Sequence, residues 1–264
     1  MGAVERYNVN VSGRGTKPMI FAHGFGCDQN MWRFIRPAFE DDYKTVLFDY
    51  VGHGGSDSSA YDPKRYATLN GYADDLLEIC SELNLTDTVV VGHSVSAIIA
   101  LLAAARKPDR FARLVLIGPS PCYVNDGDYV GGFSREEIEG LLEFLDSNHL
   151  GWSSTMAPVI MANPERPELS EELTNSFCRT DPEVAKQFAR VTFLSDNRAD
   201  LAKVATKSLI LQCRSDTIAP VCVGEFVHKH LPNSEIVVLD ATGHCPHLSA
   251  PAETIAAMKR FLSA

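Results

Sequence analysis

Short apolar, β-branched runs recur along this chain with helix-length segments between them, and that alternation limits the possible folds more than any other feature. The candidate strands are Tyr7–Val11, Met19–Ala22, Thr45–Asp49, Thr88–Val91, Leu114–Ile117, Ser208–Gln212 and Glu235–Leu239. Several, such as Val89-Val90-Val91, are apolar without alternation, as expected of strands covered on both faces. Between them, Leu69–Leu83 repeats apolar residues at helical spacing, at Leu69, Tyr72, Leu76, Ile79 and Leu83. Ser96–Arg106 reads as a helix of small and apolar residues, suited to close packing on a sheet. Strand–helix–strand units of this kind predict an α/β class, with a mostly parallel central sheet flanked by helices.

The middle of the chain reads differently. From Ser134 to about Asp196 there are only helix patterns: Ser134–Asn148, Glu168–Cys178 and Pro182–Leu194. Ser134-Arg-Glu-Glu137 is a capping box, and Asp181-Pro182 places a capping acid before a proline at the first helical position. Many apolar and aromatic residues fall here, so the expectation is a helical lid over a cavity. Residues 1–133 and 197–264 would form the core, with 134–196 as the inserted lid. A chain of 264 residues suffices for one large α/β domain.

The formal net charge is -10 and the charges are mixed rather than blocked, which argues against nucleic acid or an anionic membrane as partner. No apolar run approaches the roughly 20 residues of a membrane span. Glu5 and Arg6 stand where a signal peptide needs apolar residues, so the expected location is cytoplasmic. The seven cysteines form no CxxC pair, and nothing points to a zinc ribbon, a redox motif, a metal or a cofactor.

One segment carries chemistry more sharply than the rest. Val90-Val91-Gly92-His93-Ser94-Val95-Ser96-Ala97 places a serine in a tight turn between an apolar strand and a helix. This is the nucleophile-elbow pattern G-x-S-x-G, with Ser96 in place of the second glycine. The turn would present the Ser94 hydroxyl at a helix N-terminus, where the dipole favours developing negative charge. A serine hydroxyl needs a base near neutral pH, and the base needs an orienting acid, in the chain order Ser, acid, His. Ser208–Gln212 is followed by Asp216, and Glu235–Leu239 by Gly243-His244. Each lies just past a candidate strand. Asp240 is the rival acid, but it sits only four residues before His244 on the same loop, and Asp216 is preferred.

An oxyanion hole would combine the backbone N–H of Val95 with one from the loop Ala22-His23-Gly24-Phe25-Gly26, assigned to Phe25. His23 is expected to be a structural hydrogen-bonding residue, and His53 and His247, without obvious partners, are read the same way. Cys245 could modulate the site, although a buried structural thiol is the simpler reading.

With these motifs aligned, the chain resembles the RsbQ-type hydrolases, regulators of the sigma-B stress response, and their plant relatives, the karrikin and strigolactone receptors. The resemblance runs nearly end to end and includes His23-Gly-Phe-Gly-Cys-Asp-Gln29, Gly92-His-Ser-Val95, Gly131-Gly-Phe133 and Gly243-His-Cys-Pro-His247. The bacterial regulator has glycine where this chain has Ser96, and the plant receptors have serine. The resemblance implies an α/β-hydrolase fold with a four-helix V-shaped lid over an apolar pocket that ends at the serine. Matching positions imply a pocket lined by Phe25, Tyr123, Phe133, Trp152, Phe193 and Ile218.

The leading expectation is a slow serine hydrolase of a small hydrophobic ester or lactone, with a regulatory role and a PAS-domain phosphatase as partner if RsbQ-like. The alternatives are a receptor in which hydrolysis is incidental, and a metabolic carbon–carbon bond hydrolase or perhydrolase with the same triad. A dehalogenase or epoxide hydrolase is excluded, because those need Asp at position 94.

Overall fold

A computed structural model describes residues 2–264. Seven strands form one sheet: β1 (Asn10–Ser12), β2 (Lys17–Ala22), β3 (Tyr43–Leu47), β4 (Thr88–His93), β5 (Phe111–Ile117), β6 (Lys207–Ser215) and β7 (Ser234–Thr242). Their spatial order is β1-β3-β2-β4-β5-β6-β7. Only the edge pair β1–β3 is antiparallel; the other five pairs are parallel. The expected α/β-hydrolase architecture is therefore present, and each of the seven sequence-predicted strands has its counterpart.

The first strand is shorter than the sequence suggests. Residues Ala3–Arg6 form a one-turn helix, α1, and Asn8 takes a left-handed φ of 47°, which breaks an extended run. Tyr7 is fully buried instead, its hydroxyl lying 2.9 Å from Asp75 Oδ1 and 2.8 Å from Glu78 Oε2.

The non-alternating strands have the expected cause. Ile20, Val90, Leu114 and Leu116 face one buried cluster, while Met19, Phe21, Val89, Val91, Val115 and Ile117 face another. Helices α2 (Leu69–Glu82) and α3 (Val95–Arg106) cover the first face. Trp32, Phe39 and helix α10 (Pro251–Ser263), through Met258 and Phe261, cover the second. The small residues of α3 let it come close to β4: a Cβ added at Gly92 would lie 2.4 Å from the Ser96 carbonyl oxygen.

Between β5 and β6 stand four helices, α4 (Arg135–Ser147), α5 (His149–Met161), α6 (Pro167–Arg179) and α7 (Pro182–Phe193). The Ser134–Glu137 capping box is closed in both directions, and Asp181 accepts from the Glu183 and Val184 amides. Helix α5 escaped the periodicity reading. It is apolar on several sides, with Trp152 buried and Leu150 and Val159 exposed, and it carries Pro158 internally. Helix α8 (Val221–His230) lies between β6 and β7, and the short α9 (Pro246–Ser249) between β7 and α10.

Phe188 of α7 ties this helical layer to the core. Fully buried, it stacks on Tyr72 of α2 at 4.3 Å and meets Phe25 at 5.7 Å and His53 at 5.4 Å. Truncation to alanine should cost about 3–5 kcal/mol, read as a lowered urea midpoint. A loss under about 1 kcal/mol would contradict this account of the layer's anchoring.

Candidate active site

Five loops leave the C-terminal ends of adjacent parallel strands and converge, the usual location for a site in an open α/β sheet. They carry His23–Phe25 after β2, Ser94 after β4, Gly118 after β5, Asp216 after β6 and His244 after β7. Ser94 has φ 57° and ψ −123°, the strained geometry of a sharp strand-to-helix turn. Its amide donates to the Ile117 carbonyl at 2.7 Å, which ties the turn to β5.

The sequence-predicted triad residues are brought together. His244 Nε2 lies 2.8 Å from Ser94 Oγ, and His244 Nδ1 lies 2.7 Å from Asp216 Oδ2. All three are buried. The second carboxylate oxygen of Asp216 accepts from the Ile218 amide at 2.8 Å and the Ala219 amide at 3.1 Å. With the carboxylate so fixed, His244 donates through Nδ1–H and presents the Nε2 lone pair to the serine hydroxyl. Asp240, the rival acid, is exposed and paired with Arg214 at 2.9 Å.

The loop from β2 passes directly over the serine. A Cβ at Gly24 would lie 2.5 Å from His93 Nδ1 and 3.4 Å from Ser94 Cβ, so only glycine fits there. Val95 is the first residue of α3, and the amides of a helix's first turn have no intrahelical partner.

Two supporting residues are not evident from sequence. Gly118 has φ +58°, and a Cβ there would come 3.0 Å from His244 Cε1, so a bare backbone leaves room for the imidazole. His93, beside the nucleophile, places Nε2 2.8 Å from the His244 carbonyl and braces that loop. A glycine after a strand and a histidine inside the elbow are the only traces these leave in the sequence. Further support comes from α5, whose Ile160 carbonyl accepts from the His244 amide at 2.8 Å. Asn163, just past that helix, donates to the Thr242 carbonyl at 3.0 Å.

The serine and His244 open onto an apolar cavity of about 40 Å³, room for a few water molecules. Of the pocket residues that the resemblance implied, Phe25, Phe133, Trp152, Phe193 and Ile218 lie on its wall. Tyr123 stands behind that wall, edge-on to Phe193 at 5.1 Å, with its buried hydroxyl on the side of Ser94. The rest of the wall comes largely from the four inserted helices, including Leu142, Met156, Ile160, Leu173 and Phe177.

Histidines crowd this end of the sheet. His23, His53, His93 and His247 are buried, and desolvation holds all four below the ordinary imidazole value, His53 and His247 down to about 3. His23 does bond structurally, accepting from the Tyr50 amide at 3.2 Å; His247 packs against Trp32 and His93 without a partner for either nitrogen. His93, Cys245 and His247 bring potential metal-ligating atoms within 4.8 Å of one another, the only such group found among the described residues. In this arrangement His93 is already engaged by the His244 carbonyl. Burial pushes the Cys245 thiol well above its ordinary value, which keeps it protonated.

A pH dependence follows. Below about 6.5 the unfolded chain protonates these histidines while the folded one does not, so stability is present above that value and lost as pH falls. Each histidine should contribute a slope of up to about 1.4 kcal/mol per pH unit. Urea midpoints should therefore fall steeply between about pH 6.5 and 4.5, before most carboxylates titrate. A flat profile across that window would contradict the neutral histidine cluster.

Comparison with known proteins identifies the family to which the fold belongs. Residues 19–257 match the model of the alpha/beta hydrolase family. A protein named as a probable esterase, from Oryza sativa subsp. japonica, is 40% identical over 265 residues, covering 99% of this chain and 98% of that one. Karrikin insensitive 2 receptor CA from Petunia hybrida is 38% identical over 264 residues, covering 99% and 98%. Among solved structures, a hydrolase from Oleispira antarctica has a TM-score of 0.97 and 43% identity, covering 99% of this chain and 96% of that one. No helix among the described residues is long and apolar enough to cross a membrane.

Proposed function

This chain belongs to the alpha/beta hydrolase family, and from that premise we propose that it is a serine esterase or lactonase of small, apolar substrates. The observation that carries the reading is the continuous hydrogen-bonded chain Asp216–His244–Ser94 at the floor of an apolar cavity. Ser94 Oγ attacks the ester carbonyl while its proton passes to His244 Nε2. The Phe25 and Val95 amides hold the oxyanion of the tetrahedral intermediate. The intermediate collapses as His244 returns the proton to the leaving alkoxide, giving an alcohol and an acylated Ser94. Water, deprotonated by the same imidazole, then releases the acid. Asp216 stays ionised throughout, fixing the imidazole tautomer and stabilising its charged form.

In this reading the four inserted helices act as a lid, and a cavity of about 40 Å³ walled by aromatic rings favours short acyl groups. p-Nitrophenyl esters of increasing chain length test it. Acetate should be turned over fastest, with kcat/KM falling steadily towards octanoate. Absence of turnover, or a preference for octanoate, would contradict the proposal.

A second reading is a ligand receptor with a regulatory output, in which hydrolysis is secondary. The alignment over nearly the whole chain with a protein named a karrikin insensitive 2 receptor favours it. An RsbQ-like role upstream of a PAS-domain phosphatase, in the cytoplasm, would be one form. Ligand-dependent capture of a partner protein by Ser94→Ala would support this reading; a strict need for turnover would count against it.

A further inference from the structure

The general nucleophile elbow carries glycine two residues after the nucleophile, where small size alone is required. This chain carries Ser96, and its side chain is not idle. Fully buried, Ser96 Oγ donates to the backbone carbonyl of His23, across the gap between α3 and the loop after β2. Because that bond uses the only Ser96 hydroxyl proton, the Tyr50 hydroxyl, 2.9 Å away, is the donor to Ser96 Oγ. The His23 ring completes the set. Its Nε2 accepts from the Tyr50 amide at 3.2 Å, which leaves the proton on Nδ1 to donate to the Gly24 carbonyl at 2.9 Å. Each of these buried groups therefore has a partner, in one consistent direction of donation.

The position of this network matters. Ser96 follows Val95 and His23 precedes Phe25 by two, so one side-chain bond links the two segments that carry the two oxyanion donors. Gly24, between His23 and Phe25, has no Cβ to lock it against His93 and Ser94. Its carbonyl is held within the loop, by the His23 ring and the Cys27 amide, while the His23 carbonyl is held from α3 by Ser96. A glycine at position 96 would leave the His23 carbonyl buried without this donor.

We propose that Ser96, backed by Tyr50 and His23, is a positioning residue that sets the spacing of the oxyanion donors on Phe25 and Val95. This rests on the esterase reading above and specifies how its oxyanion hole is held in shape. A displaced donor weakens transition-state binding more than substrate binding, because the oxyanion exists only after attack.

The test compares wild type, Ser94→Ala and Ser96→Ala for kcat and KM on p-nitrophenyl acetate. It also measures inhibition by an aryl trifluoromethyl ketone, which forms a tetrahedral oxyanion adduct with a reactive serine. Ser96→Ala is expected to lower kcat by about 10- to 100-fold with KM nearly unchanged. Ketone inhibition should weaken by the same factor, and the pH profile of kcat should keep its shape. Should the alanine variant fail to fold, Ser96→Gly, the residue of the general elbow, reads the same quantities. Unchanged kcat, a loss confined to KM, or a lowered kcat with ketone inhibition unaffected would each overturn the proposal. Absence of wild-type turnover would overturn the esterase reading instead, and the two failures are thereby distinguished.

Discussion

Replacing Ser94 with alanine is expected to reduce ester turnover by about 10⁴-fold or more while leaving the fold intact. The size of the effect follows from the absence of a substitute. Among the described residues, Ser94 Oγ is the only hydroxyl that His244 Nε2 contacts, and Tyr123, the nearby phenol, is held protonated by burial, its value pushed up to about 12. The variant should unfold within a few degrees of wild type, because alanine removes one oxygen and leaves the turn's backbone bond to Ile117 in place. Any residual rate would come from the proposed oxyanion donors and substrate binding. Initial rates with p-nitrophenyl acetate, beside a thermal melt, check both statements. Turnover within tenfold of wild type would remove the nucleophile assignment.

Asp216→Asn is expected to be nearly as damaging, by about 10³- to 10⁴-fold in kcat, although it changes one atom. The reason lies in which oxygen is already committed. Asp216 Oδ1 accepts from two backbone amides, Ile218 and Ala219, so the asparagine carbonyl must take that place. Its NH₂ group then faces His244 Nδ1 and donates to it. The imidazole proton moves to Nε2, which can no longer accept from Ser94. The site keeps its shape and loses its base. Asp240→Asn is the matched control: that side chain is exposed and pairs with Arg214 at the surface, so kcat should stay within about twofold. If Asp240→Asn proved the damaging change, the acid assignment would be reversed. Should both variants retain full activity, His244 would need no orienting carboxylate and the triad reading would fail.

Much of this was legible in the sequence, for reasons that can be stated locally. The strands were readable because both faces are buried, so Val89–Val91 could dispense with alternation. Ser94, Asp216 and His244 were readable because each follows a strand, and parallel strands deliver their C-terminal loops to one edge. Other features depend on contacts that a linear reading cannot supply. Tyr7 pairs with α2 rather than continuing β1, because Asp75 and Glu78 await its hydroxyl. Helix α5 lines the cavity with one side and exposes Leu150 and Val159 on another, which blurs its periodicity. Gly118 matters through His244, far along the chain, and Ser96 through a carbonyl on another loop. The departure at Ser96 was visible from the start, but its partners were not.

The central claim is that Ser94 is a nucleophile activated by His244, and covalent labelling tests it most directly. A small alkyl fluorophosphonate should add one phosphonyl group to the intact wild-type protein, with the modification mapping to the peptide that contains Ser94. Ser94→Ala should remain unmodified under the same conditions, and His244→Ala should react at least about 100-fold more slowly. Labelling at another residue, or equal labelling rates in wild type and His244→Ala, would contradict the account.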